Sequence, residues 1–260
     1  MKKLLSFPRL VICFVAMLSL GVQAADPVKL RVGVEGAYPP FSQVGADGKI
    51  KGFDIDIANA LCAEIKAQCT LVQLDFDGMI PALQSKKIDL IVASMSITPE
   101  RSKVIAFTDK YYNSTARLIS KSGLKIDGSP ESFKGKKIGV QRGTIHDRFV
   151  TDKFKSATLA RYAKQDDVFL DLVAGRIDAT LVDGIAGDIG FLKTPAGKGY
   201  AFTGPEYDDV SYFGTGVGIG LRKGDTGLRD QLNGAIKSIR TNGIYKKLQD
   251  QYFDFDLYGK

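Results

Sequence analysis

One stretch of the chain is written twice. ALQSKKIDLIVAS (residues 82–94) and DLVAGRIDATLVD (residues 171–183) each run from a helix end through a basic turn and an Ile-Asp dipeptide into an apolar segment. Five residues beyond the shared aspartates, Asp89 and Asp178, stand Ser94 and Asp183. Each copy therefore places a polar residue where its strand should end. Upstream, KKIGVQRG from Lys136 resembles LRVGVEG from Leu30, a short strand closing on a polar residue and glycine. Nearly continuous apolar runs of strand length suit buried parallel strands. Alternated with helices they give an α/β architecture, here restarted midway, so two lobes built alike are expected.

The rest of the pattern fits. In GFDIDIANALCAEIK, Ala58, Leu61, Cys62 and Ile65 fall on one helical face, with Asp54 as the expected N-cap. CTLVQLDF reads as a strand, and Asp77-Gly78 opens a helix through Ile80 and Leu83. The glycine-rich FGTGVGIGLRK reads as a strand before a helix through Leu228, Leu232, Ile236 and Ile239, which Thr241-Asn242-Gly243 interrupts. The chain is expected to cross between lobes near Asn113–Ala116 and back near Gly214–Gly218. That divides it into 25–114 with 215–260 as one lobe and 115–214 as the other.

Residues 1–24 differ in kind. Lys2, Lys3 and Arg9 precede a short apolar run, and Val22-Gln23-Ala24 supplies small residues for cleavage. This reads as a secretory signal peptide, too short for a transmembrane span. Its removal leaves 236 residues and takes three positive charges with it, lowering the net charge from +7 to +4. The remaining excess is scattered rather than clustered with aromatics, so nucleic acid is not an expected partner. Cys62 and Cys69 remain after cleavage, and export favours their pairing. One histidine and no further thiols give no basis for a metal site or cofactor.

In open α/β sheets ligands bind beyond the carboxyl ends of strands, which would set Ser94 and Asp183 across a shared cleft. Thr98-Pro99 signals a helix start, and Arg101 stands where a capping glutamate would be favoured. A cation there opposes the helix dipole. Arg101 is read as reaching back toward Ser94 and Ser96 and forking onto a carboxylate; a structural ion pair is the alternative. Thr144 and Ile145 open a helix whose amides could serve the same anion. Asp183 suits an α-ammonium, or else caps the helix after it. Glu35, flanked in neighbouring loops by Tyr38 and Phe76, suits a distal cation; the aromatics could equally be core. His146 lies just inside the anion-binding turn. Burying a zwitterion requires every charge to be paired, so groups split between lobes would be satisfied only when the cleft shuts.

The mature chain resembles the periplasmic lysine/arginine/ornithine- and histidine-binding proteins of ABC transporters along nearly its whole length. AYPPF, GFDIDIANALC, KKIDLIVASMSIT, IAFTDKYY, FLDLVAGRIDA, GFLKTPAGK, GVGIGLRK and YFDFDLYG carry the resemblance. It implies a two-lobed type II binding-protein fold, each lobe a mixed sheet flanked by helices, joined by two crossing strands. It implies that Ser94, Ser96 and Arg101 hold an α-carboxylate, Asp183 an α-amino group, and Tyr38 and Phe76 the side chain, with Cys62 and Cys69 as the family disulfide. It also implies a periplasmic location, a free basic amino acid as ligand and an inner-membrane ABC permease as partner; a monomer is expected. Ala93 stands where the family commonly has serine, leaving only backbone contact there. Glu35 stands where close relatives have aspartate, and the turn Gln141–His146 departs from the family pattern. His146 and Arg142 are expected to add donors or positive charge near the side-chain pocket, which leaves arginine, ornithine, lysine and histidine all open. The competing readings are an amino-acid dehydratase-like enzyme, with Glu35 and His146 as the only base candidates, and a sensory domain.

Overall fold

A computed structural model describes residues 27–259. The expected signal peptide, residues 1–24, lies outside the described residues. In chain order the elements are β1 (Lys29–Val34), the small antiparallel sheet β2 (Ala37–Tyr38), β3 (Ser42–Val44) and β4 (Ile50–Lys51), then α1 (Phe53–Glu64), β5 (Gln68–Gln73), α2 (Met79–Gln84), β6 (Leu90–Ile91) and β7 (Ala106–Tyr112). Next come β8 (Ala116–Lys121), β9 (Lys137–Gln141), α3 (Ile145–Lys153), β10 (Thr158–Tyr162), α4 (Gln165–Val173), β11 (Ala179–Asp183), α5 (Gly184–Gly187) and β12 (Tyr200–Tyr207). The chain ends with α6 (Val210–Phe213), β13 (Val217–Leu221), α7 (Thr226–Thr241) and α8 (Ile244–Gln249).

Two five-stranded mixed sheets result, ordered β5-β1-β6-β13-β7 and β10-β9-β11-β8-β12. Three strands run parallel in each, and the fourth, β13 or β8, runs antiparallel. That antiparallel strand lies in each case just after a passage between sheets, β7 to β8 and β12 to β13. The fold is thus α/β and two-lobed.

The Ile-Asp dipeptide does the same work in both sheets. Asp89 accepts from the Arg31 amide at 3.0 Å, and Asp178 from the Lys137 amide at 2.7 Å. A methyl group added at Gly33 would meet Ile88 Cδ1 at 2.5 Å, and one at Gly139 would meet Ile177 Cδ1 at 2.4 Å. The isoleucine packs where only glycine leaves room, and the aspartate ties down the neighbouring strand. In β11, Leu181 and Val182 are both buried but join clusters on opposite faces, with Phe149 and Val150 on one and Val168 and Phe169 on the other. Burial on both faces explains the unbroken apolar run.

Three local expectations are corrected. Asp54 is not the cap of α1; Gly52 occupies that position, and Asp54 is fully buried in the first turn. Strand β6 pairs with β1 over only two residues, and beyond Ser94, which adopts a left-handed φ of 51°, the chain continues alongside β13 through a single bridge, Ser96 to Val217. Thr98 does accept from the Arg101 amide at 3.2 Å, but it opens only a single 3-10 turn, Arg101–Lys103. Cys62 and Cys69 form a disulfide joining the end of α1 to the start of β5. Among the described residues no helix is long and apolar enough to cross a membrane.

Candidate functional site

The ends of β1, β6, β9 and β11 meet around a cavity. The residues singled out from the sequence, from Glu35, Tyr38 and Phe76 through Ala93, Ser94, Ser96 and Arg101 to Thr144, Ile145, His146 and Asp183, all line it. Gln141 lines it too.

From the first lobe, Arg101 is aimed by its tight turn. Its Nη1 donates to the Ser96 carbonyl at 3.2 Å, and its guanidinium carbon lies 5.3 Å from the Phe76 ring centre. Nη2 reaches across to the Gly143 carbonyl at 3.3 Å. Burial and the nearby Arg148 lower its pKa to about 10. Among the described residues no carboxylate forms an ion pair with it, so the structural-pair alternative has no partner here. Ser94, held in its left-handed conformation, donates to Asp54 Oδ2 at 2.9 Å; Tyr111 donates to Oδ1 at 2.7 Å. Burial raises Asp54 to about 7 against these two hydrogen bonds.

From the second lobe, Thr144 caps α3 by accepting from the Asp147 amide at 3.1 Å, and its hydroxyl donates to the Gln141 carbonyl at 2.8 Å. Asp183 caps α5, with Oδ1 accepting from the amides of Ile185 and Ala186 at 2.9 and 3.2 Å. The capping role and the cavity-lining position coexist. Burial raises its pKa to about 6 despite those donors.

Glu35 is 5% exposed and meets the opposite lobe directly, accepting from Gln141 Nε2 at 2.6 Å. Burial raises it to about 7, partly offset by that bond. Two ion pairs also join the lobes: Arg142 Nε contacts Asp77 Oδ2 at 2.6 Å, and Arg148 pairs with Glu100.

One expectation is narrowed and one is corrected. Burial and Arg101 lower the His146 pKa to about 3, so the ring adds no positive charge but, as a neutral imidazole, keeps one N–H donor. Arg142 is half-exposed on Asp77 rather than lining the cavity. The lining therefore carries two carboxylates, Glu35 and Asp183, against the single guanidinium of Arg101. Gln141 was missed on the lining, and so was Asp54, which lies behind it holding Ser94. The signal for Gln141 was in the repeat: in KKIGVQ and LRVGVE it occupies the place of Glu35, and the two meet.

The profile of bacterial extracellular solute-binding proteins, family 3, matches residues 30–255. The L-arginine-binding protein of Pseudomonas aeruginosa is 49% identical over 247 residues, covering 94% of this chain and 95% of its own. The histidine-binding periplasmic protein of Escherichia coli is 44% identical over 261 residues, covering 100% of both. A solved periplasmic binding protein of Salmonella typhimurium, described for its high arginine specificity, is similar with a TM-score of 0.80 at 33% identity, over 87% of this chain and 99% of that one. With a match running from β1 nearly to the C-terminus, this chain belongs to the bacterial extracellular solute-binding proteins, family 3.

Proposed function

We propose that this chain is the periplasmic receptor of an ABC importer, closing its two lobes on a free L-amino acid with a cationic side chain. The observation that carries the reading is the charge of the cavity. Arg101, with no protein carboxylate, suits an α-carboxylate. Asp183 from the opposite lobe suits the α-ammonium, and Glu35, between Tyr38 and Gln141, suits a second cation. Two acids and one base balance a ligand of net charge +1. Because a buried charge must be paired, ligand contacts made from both lobes at once favour the shut state, and the ligand shifts that equilibrium by its differential affinity.

The proposed lobes are residues 25–114 with 215–260, and 115–214, the first following a cleaved signal peptide over 1–24. The relatives named for arginine and histidine support a basic amino acid, an inner-membrane permease is the implied partner, and a monomer suffices for the mechanism. The dehydratase alternative has less behind it: the relatives that match along the whole chain are named for binding, and of the two base candidates an imidazole of pKa about 3 takes up a proton poorly at neutral pH.

Calorimetry on ligand-stripped protein against the twenty amino acids plus ornithine and citrulline tests the reading. Heat of binding for a cationic amino acid, with the ligand recovered unchanged, is the expected result. Turnover, or binding restricted to acidic or apolar amino acids, contradicts it.

A further inference from the structure

We infer that Gln141 is a specificity-determining residue, whose side-chain carbonyl joins the Glu35 carboxylate as a second acceptor and so selects a guanidinium over a lone ammonium. The inference rests on the reading of the cleft as a site for a cationic amino acid.

The orientation of the Gln141 amide is fixed by its neighbours. Its Nε2 lies 2.6 Å from Glu35 Oε1 and 3.1 Å from the Ala163 carbonyl. A backbone carbonyl only accepts, so the NH₂ group must face Ala163, and both of its hydrogens are engaged. That leaves Oε1, which is buried on a side chain 1% exposed and has no hydrogen-bond donor in the protein. A buried acceptor without a donor is costly, and this one belongs to a side chain that lines the cavity. A ligand donor satisfies it.

The two acceptors come from opposite lobes, yet their side chains touch, so they offer neighbouring positions to one head group. A guanidinium presents five N–H groups on three nitrogens in a plane and can address two adjacent acceptors with separate nitrogens. An ammonium must serve both from a single nitrogen. The two N–H groups of an imidazolium diverge from opposite sides of the ring, so they reach one acceptor at a time.

The test is the arginine-to-lysine affinity ratio of the full mature chain, measured by calorimetry for wild type, Gln141→Met and Gln141→Leu. Methionine keeps the volume and removes the carbonyl; leucine gives a second apolar variant. The expected result is a wild-type preference for arginine that falls roughly tenfold to a hundredfold in both variants, the range of one hydrogen bond to a charged group. A ratio that is unchanged, because both ligands weaken alike or neither weakens, overturns the inference and leaves the functional reading standing. Wild-type protein that binds no cationic amino acid overturns both.

Discussion

Lowering the pH should loosen the grip on arginine or lysine by an amount the cavity itself sets. Burial raises Glu35 to about 7 and Asp183 to about 6. Both must be ionised to hold cationic groups, so a ligand arriving at lower pH has to displace their protons. Between about pH 8 and about pH 6, an acid of pKa 7 costs a factor of about ten in affinity, and one of pKa 6 adds about twofold, for a combined loss of about 2 kcal/mol. Arginine and lysine keep their own charges throughout this window, so the change belongs to the protein. Calorimetry at the two pH values, in buffers of different ionisation enthalpy, reads both the affinity and the protons released. The expected result is roughly twentyfold weaker binding at the lower pH, with net proton release there. Affinity within twofold at both values, or tighter binding at the lower pH, refutes the assignment of these carboxylates to ligand cations.

In the ligand-free fold Asp54, buried inside the first lobe against Ser94 and Tyr111, acts with a defined sign, because it holds its proton more tightly folded than unfolded. Its stabilising contribution is complete below about pH 4 and is lost as pH rises to about 7. Thermal unfolding of stripped protein should therefore show a higher Tm near pH 5.5 than near pH 8, and saturating arginine should diminish or reverse that trend; a stripped-protein Tm that rises over this interval contradicts the pKa directions. Arg101→Ala should weaken every amino acid, because the α-carboxylate is common to all, by roughly a hundredfold or more, as expected for stripping one partner from a buried charge pair; selective loss of cationic ligands alone contradicts its role. Replacing Cys62 and Cys69 by serine should cost about 2–3 kcal/mol of unfolding free energy through the small loop they close, read from denaturant midpoints, and an unchanged midpoint contradicts a stabilising staple.

The repeat made the architecture legible because one physical task recurs in both lobes. Ile88 and Ile177 each pack on a strand glycine, and Asp89 and Asp178 each bind a strand amide, so the same letters return at the same spacing. The same logic put Ser94 and Asp183 at strand ends, and both line the cavity. What stayed hidden depends on contacts distant in sequence. Asp54 sits where a helix cap is expected, and only Ser94 and Tyr111, brought in by other strands, reveal why it is buried. The left-handed φ of Ser94 is likewise set by its surroundings, where its hydroxyl meets the buried Asp54. His146 lies next to a turn rich in donors, but its charge is decided by burial beside Arg101, which no local pattern encodes.

Small-angle scattering of stripped protein, with and without saturating arginine, for wild type and for Asp183→Asn, tests most directly whether bound charge draws the lobes together. Wild type should become more compact on adding arginine, and the variant should need far more ligand or fail to contract. Superimposable wild-type curves under conditions where calorimetry shows saturation contradict the account, as does contraction of the variant at the wild-type concentration.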